Sequence, residues 1–414
     1  MKNLLRIILS LFVCLASAAT ASAADTVDHG APYRVWTVPT VFSVDEPVTF
    51  YFDMTDTGFK EGVDLYLWCW NPSEPDAGNW ENSSDFARLT YEGENVYSMT
   101  ITPTKYFSGG TTGKTEQEIY DFCQTDDWPG FWARLKTRDG SEESDVFQAP
   151  DSRVQWKEFA ASGNGVQFYS TSFTGKTLTL TDKFTLNRPL TIVFNPDVFT
   201  VGGKTMTEFA KQDGFGGFKL HSGLNDWTFQ QGVKVWIDGC MKKTDIHRLT
   251  NGYYALSMKS PFDYYGENYA DDGSIASTGL AADEQIDNLA WLVVGIINND
   301  WGGTCPDQLT KAGTAEVYPD PVFTVFPSKV SPEDIVTFIR QYNGKRDGNI
   351  TWELKAGEKT FSGTLEGNRD KRRGSANLLK ELAGLNVESM TLTLRNESGT
   401  ELVKTEIPLV TADK

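Results

Sequence analysis

Two segments of the chain share one order of apolar and polar positions. Residues 42–52 read FSVDEPVTFYF and residues 184–194 read FTLNRPLTIVF. In each, a turn former and a proline come first, and β-branched and aromatic residues then alternate with polar ones, which starts a strand and propagates it. Pro47 and Pro189 stand where no ladder hydrogen bond is yet needed. Thr49 and Thr191 lie 142 positions apart, and a looser copy at 331–339, SPEDIVTFI, places Thr337 another 146 on. One module is therefore written three times. Short alternating runs broken by Gly, Asn and Asp follow each start, so the pattern predicts an all-β chain of three consecutive β-sandwich domains, at residues 31–150, 151–314 and 321–414.

Within the first unit, residues 64–70 alternate. Leu65, Leu67 and Cys69 point one way and Tyr66, Trp68 and Trp70 the other, and either face fits a core. A turn-rich loop containing Asn79 and Trp80 leads to a strand at 96–102. A 28-residue excursion from Pro103 to Phe131 is long for a compact domain, and Thr115 with Glu118 forms a capping box for a helix inside it. The strand at 131–136 then carries Trp132, Arg134 and Lys136 on one face. In the second unit Val233, Val235 and Ile237 match the inward set, which puts Trp236 opposite Trp68, and a second 28-residue excursion runs from Pro261 to Leu289. The third unit has no excursion. Trp352 falls in phase with Ile350 and Leu354 as core, Ser375 is read as the cap of a short helix, and the unit reads as a spacer or docking domain.

Charge narrows the partners. The chain carries 38 Lys and Arg against 56 Asp and Glu, a net −18, yet residues 321–414 hold 14 basic against 13 acidic residues. The excess acid lies in the first two units, a surface that repels nucleic acid and anionic lipid. Lys2, Arg6, the apolar run 7–15 and the Ala21-Ser22-Ala23 site read as a signal peptide spanning residues 1–23. Cys14 follows Val13, where a lipoprotein signal needs a small residue, so acylation is not expected. No later stretch is long and apolar enough to span a bilayer, so no membrane insertion is expected once the signal is removed. The expected location is secreted, periplasmic or outer-membrane associated in a Gram-negative envelope. Two cysteines fall in each of the first two units, and pairing within units would join Cys69 to Cys123 and Cys240 to Cys305 as disulfides.

Catalytic and cofactor signatures are missing from the sequence. The three histidines, His29, His221 and His247, have no partner at metal or triad spacing, and His29 falls near the mature terminus in a segment read as disordered. No zinc-protease, nucleophile-elbow, phosphate-loop or dinucleotide pattern occurs. Residues 270–274 fit a plain turn better than a calcium loop. No catalytic residue, metal or cofactor is therefore expected, and the chain reads as a non-enzyme. What remains is aromatic. Of the 12 Trp, alternation or loop placement exposes Trp68, Trp70, Trp80, Trp128 and Trp132 in the first unit, and Trp227, Trp236 and Trp301 in the second. Any one of them also fits a core position. The set does not, because one strand cannot turn Leu65, Leu67 and Trp68 into the same core. A sugar ring offers an apolar C–H face to an indole, and Asn79 and Arg134 stand near those rings to bond its hydroxyls.

Residues 66–70, YLWCW, with the Asn-rich loop to Trp80 and the strand-ending Thr102-Pro103 and Ser260-Pro261, resemble the secreted multi-domain β-sandwich proteins of Bacteroidota, in particular starch-binding outer-membrane proteins of the SusE and SusF type. The resemblance covers the first two units and the opening strand of the third. It implies Ig-like, starch-binding-like sandwiches and a non-catalytic glycan-binding role in which Trp68, Trp70, Trp80, Trp132, Trp227 and Trp236 stack on sugar while Asn79 and Arg134 hydrogen-bond it. The missing lipoprotein cysteine departs from that pattern. The competing expectation is a structural, Ig-like scaffold that docks to another envelope protein.

Overall fold

The computed structural model describes residues 26–55, 57–111, 113–125, 128, 130–314, 321–341, 349–367, 371–379, 381–382 and 387–410. The proposed signal peptide lies outside them. The fold is all-β, with three Ig-like sandwiches in series, each around its own hydrophobic core. In the first sandwich one sheet is ordered Arg34–Val38, Val48–Asp53, Val96–Ile101, Thr90–Gly93, and the facing sheet joins Tyr66–Asn71 and Phe147–Gln148 to either side of Trp132–Lys136. Strands one, two, five and four thus oppose strands three, six and seven, the connectivity of immunoglobulin constant domains.

The second sandwich repeats that order. Val166–Thr174, Leu190–Phe194, Tyr254–Met258 and Asp245–Arg248 form one sheet, and Phe215–Gly223 pairs with Asn288–Ile297 in the other. Asp245–Arg248 bridges the two, pairing with Phe215–Gly223 through Ile246 and with Tyr254–Met258 through His247, a strand that turns the sheet's corner. In both units the fifth strand ends in a helix with proline in its first turn, Pro103–Phe107 and Pro261–Tyr265. The excursions then diverge. The first continues into the helix Glu116–Cys123, whose capping box forms as read from Thr115 and Glu118, and the second into the hairpin Glu267–Tyr269 with Ile275–Ser277. The third sandwich sets Val322–Phe326 and Ile335–Gln341 with Lys371–Asn377 against Lys359–Thr364, Thr351–Ala356, Ser389–Arg395 and Glu401–Pro408, with Trp352 in its core.

Alternation grouped Leu65, Leu67 and Cys69 on one face and left open which face is core; the structure turns that face inward. Leu65, Leu67 and Cys69 are buried, each leucine contributing roughly 2 kcal/mol. Several expectations need correction. Residues 233–237 are not a strand; they form an extended strap and turn before the short helix Asp238–Lys243. Val233, Val235 and Met241 pack outside the sheet against Leu292, Val294 and Ile296, so the period-2 pattern marks a cover rather than a ladder member. Phe215–Gly223 takes the strand position instead, and Trp236 sits 65% exposed in the turn, not opposite Trp68. All four cysteines outside the signal are free and buried rather than bridged. Cys69 and Cys123 fill the first core, the Cys240 thiol donates to Gly232 O at 2.9 Å, and Cys305 Sγ accepts from Val293 N at 3.1 Å. They act as small apolar residues with local hydrogen bonds, and spacing alone could not show whether the thiols face each other. Ser375 lies in a strand, not at a helix start. Trp128 is buried, and His29 is ordered, its amide donating to Glu143 O and its Nε2 lying 2.7 Å from Glu142.

A helix at Arg153–Ser162 joins the first two sandwiches. Trp156 Nε1 donates to Phe42 O at 2.8 Å while its ring stacks on Tyr253, and Ser152 Oγ accepts from Phe42 N. Thr40 N donates to Thr191 Oγ1, and Thr250 bonds both Asp45 and Glu46.

Candidate aromatic binding faces

The outer face of the first unit's second sheet brings together most of the residues singled out above. Trp68 pairs across the ladder with Arg134 and Cys69 with Ala133; a bulge then lets Trp70 and Asn71 together oppose Trp132. Ala133 is fully buried, so Trp132 and Arg134 face outward. The bulge re-aims Trp70 beside them. Trp70 is 38% and Trp132 37% exposed, and among the described residues neither indole has a ring partner or a hydrogen bond.

Trp68 and Trp80 form a second, more sheltered pair. Gly78–Asn79 and Asn82–Ser83 make a two-residue hairpin with Trp80 at its tip, and Trp80 meets Trp68 edge to face, centroids 5.5 Å apart. Gly140 lies beneath Trp80 with φ +70°, and a Cβ there would run into the indole. Lys136 closes the space behind both rings. Its Nζ lies 5.4 Å from the Trp68 centroid and 5.0 Å from that of Trp80, and donates to the carbonyls of Trp80, Thr137 and Arg138 at 2.7, 3.1 and 3.2 Å. Three acceptors match the three donors of an ammonium. Burial pushes its pKa down to about 8. Lys136 was assigned to the outer face, where it does lie, but the Trp80 hairpin seals it completely.

Carboxylates rim this face. Arg134 is ion-paired with Glu143, so its charge is neutralised within the sheet. Asp28 and Asp145 face each other on the rim; the Gly30 amide and then the Asp145 carboxyl hold Asp28 below the usual carboxylate range, while Asp28 pushes Asp145 up. Asn79 is exposed on the hairpin, and its carboxamide makes no hydrogen bond among the described residues.

In the second unit the corresponding face carries His221, Trp227 and Trp301. His221 Nδ1 accepts from Val233 N at 3.0 Å, which leaves Nε2 as the N–H donor, and burial lowers its pKa so that the ring stays neutral. Trp227 and Trp301 flank it, centroids 5.2 and 5.3 Å away. Trp227 ends a run with Asn225 and Asp226 at φ 71°, 49° and 51°, left-handed backbone that costs such residues about 1–2 kcal/mol each. Asn225 holds the run by bonding Gln285 O and Asp287 N, and Asn288 Oδ1 accepts from Asp226 N. Sequence reasoning passed over His221 because the rings that meet it come from distant loops, and no local pattern announces three consecutive left-handed residues. Trp236 does not join this group; its Nε1 donates to Asp271 O. Among the described residues no three His, Cys, Asp or Glu side chains converge to hold a metal, and no helix is long and apolar enough to cross a membrane.

No family model matches this chain, and neither does any curated protein. Among solved structures it is similar to FdeC, described as an Escherichia coli adhesin, at 10% identity over 93% of this chain and 98% of that one, TM-score 0.19. The FN1–FN3 domains of chicken CNTN1 match at 8% identity over 92% and 99%, TM-score 0.16. A structure bearing on cell-surface retention of a 1.5-MDa bacterial ice-binding adhesin matches at 10% over 93% and 99%, TM-score 0.22. Scores this low carry no statement about what this chain binds or where it resides.

Proposed function

We propose that this is an exported, non-catalytic glycan-binding protein whose first two sandwiches each present an aromatic platform to sugar rings. The observation that carries the reading is the juxtaposition of Trp70 and Trp132, exposed on adjacent strands across a bulge with both rings unengaged. Two indoles exposed together on one rigid sheet face make an apolar patch of the kind that stacks on a sugar ring. Asn71 and Asn79 supply amides for hydroxyls, and Trp68 with Trp80, braced by Lys136, supports the platform from one side. His221, flanked by Trp227 and Trp301, offers a neutral donor between two rings on the second unit.

Affinity gel electrophoresis against a panel of polysaccharides tests this. Retardation by at least one glycan is expected, weakened about tenfold or more by Trp132→Ala, equivalent to about 1.4 kcal/mol. Absence of retardation across the panel, or retardation untouched in both Trp70→Ala and Trp132→Ala, counts against it. Docking to an envelope protein is the second reading. It is favoured by Trp236 and Ile275, 65% and 57% exposed, joined through the turn in which Trp236 bonds Asp271.

A further inference from the structure

The loop that carries Trp80 outward presents a second aromatic ring on its other side. Phe86 is 49% exposed and lies flat on Tyr106, centroids 4.8 Å apart and planes within 9°. Its position is fixed from both neighbours: Asp85 is ion-paired to Arg138, and Ala87 is buried against Tyr66 and Ala77. Phe86 is therefore a preorganised platform rather than a loose surface side chain.

That ring floors a cleft of about 570 Å³ between the loop and the helix Pro103–Phe107. Asp76 and Lys105 stand on its walls, and among the described residues neither side chain has an ion pair or hydrogen bond. The Ser84 and Ser108 hydroxyls donate to the carbonyls of Asp76 and Lys105, which leaves their oxygens free to accept. Gly110, at φ +53°, lets the walls approach, since a Cβ there would run into the carbonyl of Glu74. The Tyr106 hydroxyl, buried in the floor, has no partner among the described residues.

We propose that this cleft is a separate subsite for one neutral pyranose, distinct from the Trp70 and Trp132 face. The proposal rests on the glycan-binding reading and extends it. The apolar face of the sugar lies on Phe86, and adjacent hydroxyls donate to Asp76 and accept from Lys105. One aromatic face, one free carboxylate and one free ammonium suit a ring that is apolar above and polyhydroxylated at its rim.

Saturation-transfer NMR with methyl glucosides, mannosides and galactosides as probes reads the cleft directly. The Trp70→Ala/Trp132→Ala protein should retain a weak response, at the millimolar level expected of a single ring, and adding Phe86→Ala or Asp76→Asn should reduce it at least about threefold. Phe86 and Asp76 are exposed, so both variants should fold. A wild-type response that vanishes completely in the Trp70→Ala/Trp132→Ala protein, or a residual response indifferent to Phe86 and Asp76, overturns the cleft while sparing the indole platform. Silence of the wild type towards all three probes, in a protein that a polysaccharide retards, overturns the cleft alone; silence together with absence of retardation by every polysaccharide overturns both.

Discussion

Lys136 is an ammonium held by three carbonyls and two indoles inside a hairpin cover. Its native pKa of about 8 lies below the free value of 10.5. Between those pH values the native state has released a proton that the unfolded chain still binds, so this group makes the unfolding free energy rise with pH, by at most about 1.4 kcal/mol per unit. The thiols of Cys69 and Cys123 act oppositely. Burial raises their pKa, so above pH 9 the unfolded chain loses protons that the native state keeps, and stability falls. Denaturant unfolding at pH 7.5, 8.5 and 9.5 should therefore show a less favourable trend with pH in Lys136→Met than in wild type; equal slopes contradict the assignment. Which residues share a side of the strand was legible here, since Leu65, Leu67 and Cys69 lie on one face as period 2 requires; which face turns inward was not. That Trp68 would be half-covered, and Lys136 sealed, depended on where the Trp80 hairpin comes to rest, 12 residues from Trp68 and 56 from Lys136, which no local period encodes.

At the level of elements, the helix Arg153–Ser162 sets one side chain against both sandwiches, beside the Ser152, Thr191 and Thr250 hydrogen bonds that also cross between them. Trp156 reaches Phe42 O in the first and Tyr253 in the second, and the neighbouring Phe159 is buried against Val193 and Ala255. Trp156→Ala should cost about 2 kcal/mol or more and split calorimetric unfolding of the first two sandwiches into separate transitions. A single transition with an unchanged midpoint would show that the helix does not couple them. Local chemistry announced the elements unevenly. Thr115 and Glu118 named a helix because both halves of a capping box are sequence-local. Residues 233–237 misled because alternate apolar residues serve a strap pressed on a sheet as well as a strand within one, and the true strand, Phe215–Gly223, hides its pattern behind three glycines.

Across the whole molecule, the repeat was legible because each sandwich must restart its second strand in the same way, with a proline followed by alternating residues. The divergent excursions were not, since equal length says nothing about helix or hairpin. The charge distribution also makes a claim at this scale. Arg134 is tied to Glu143, Lys136 is covered, and acid dominates the first two units, so under the glycan reading the platform favours uncharged sugars. Binding of a neutral polysaccharide should change little between 20 and 300 mM salt, whereas any uronate polymer should be excluded most at low salt. Tighter binding of the anionic polymer at low salt would reverse that electrostatic assignment.

Indole N–H resonances give the most direct measurement of the central claim. On titration with a glycan that retards the protein, the Trp70 and Trp132 Nε1–H signals should shift and saturate together, while those of Trp291 and Trp352, buried in the second and third cores, stay in place. Shifts confined to other tryptophans, with Trp70 and Trp132 unmoved at saturation, would contradict the account.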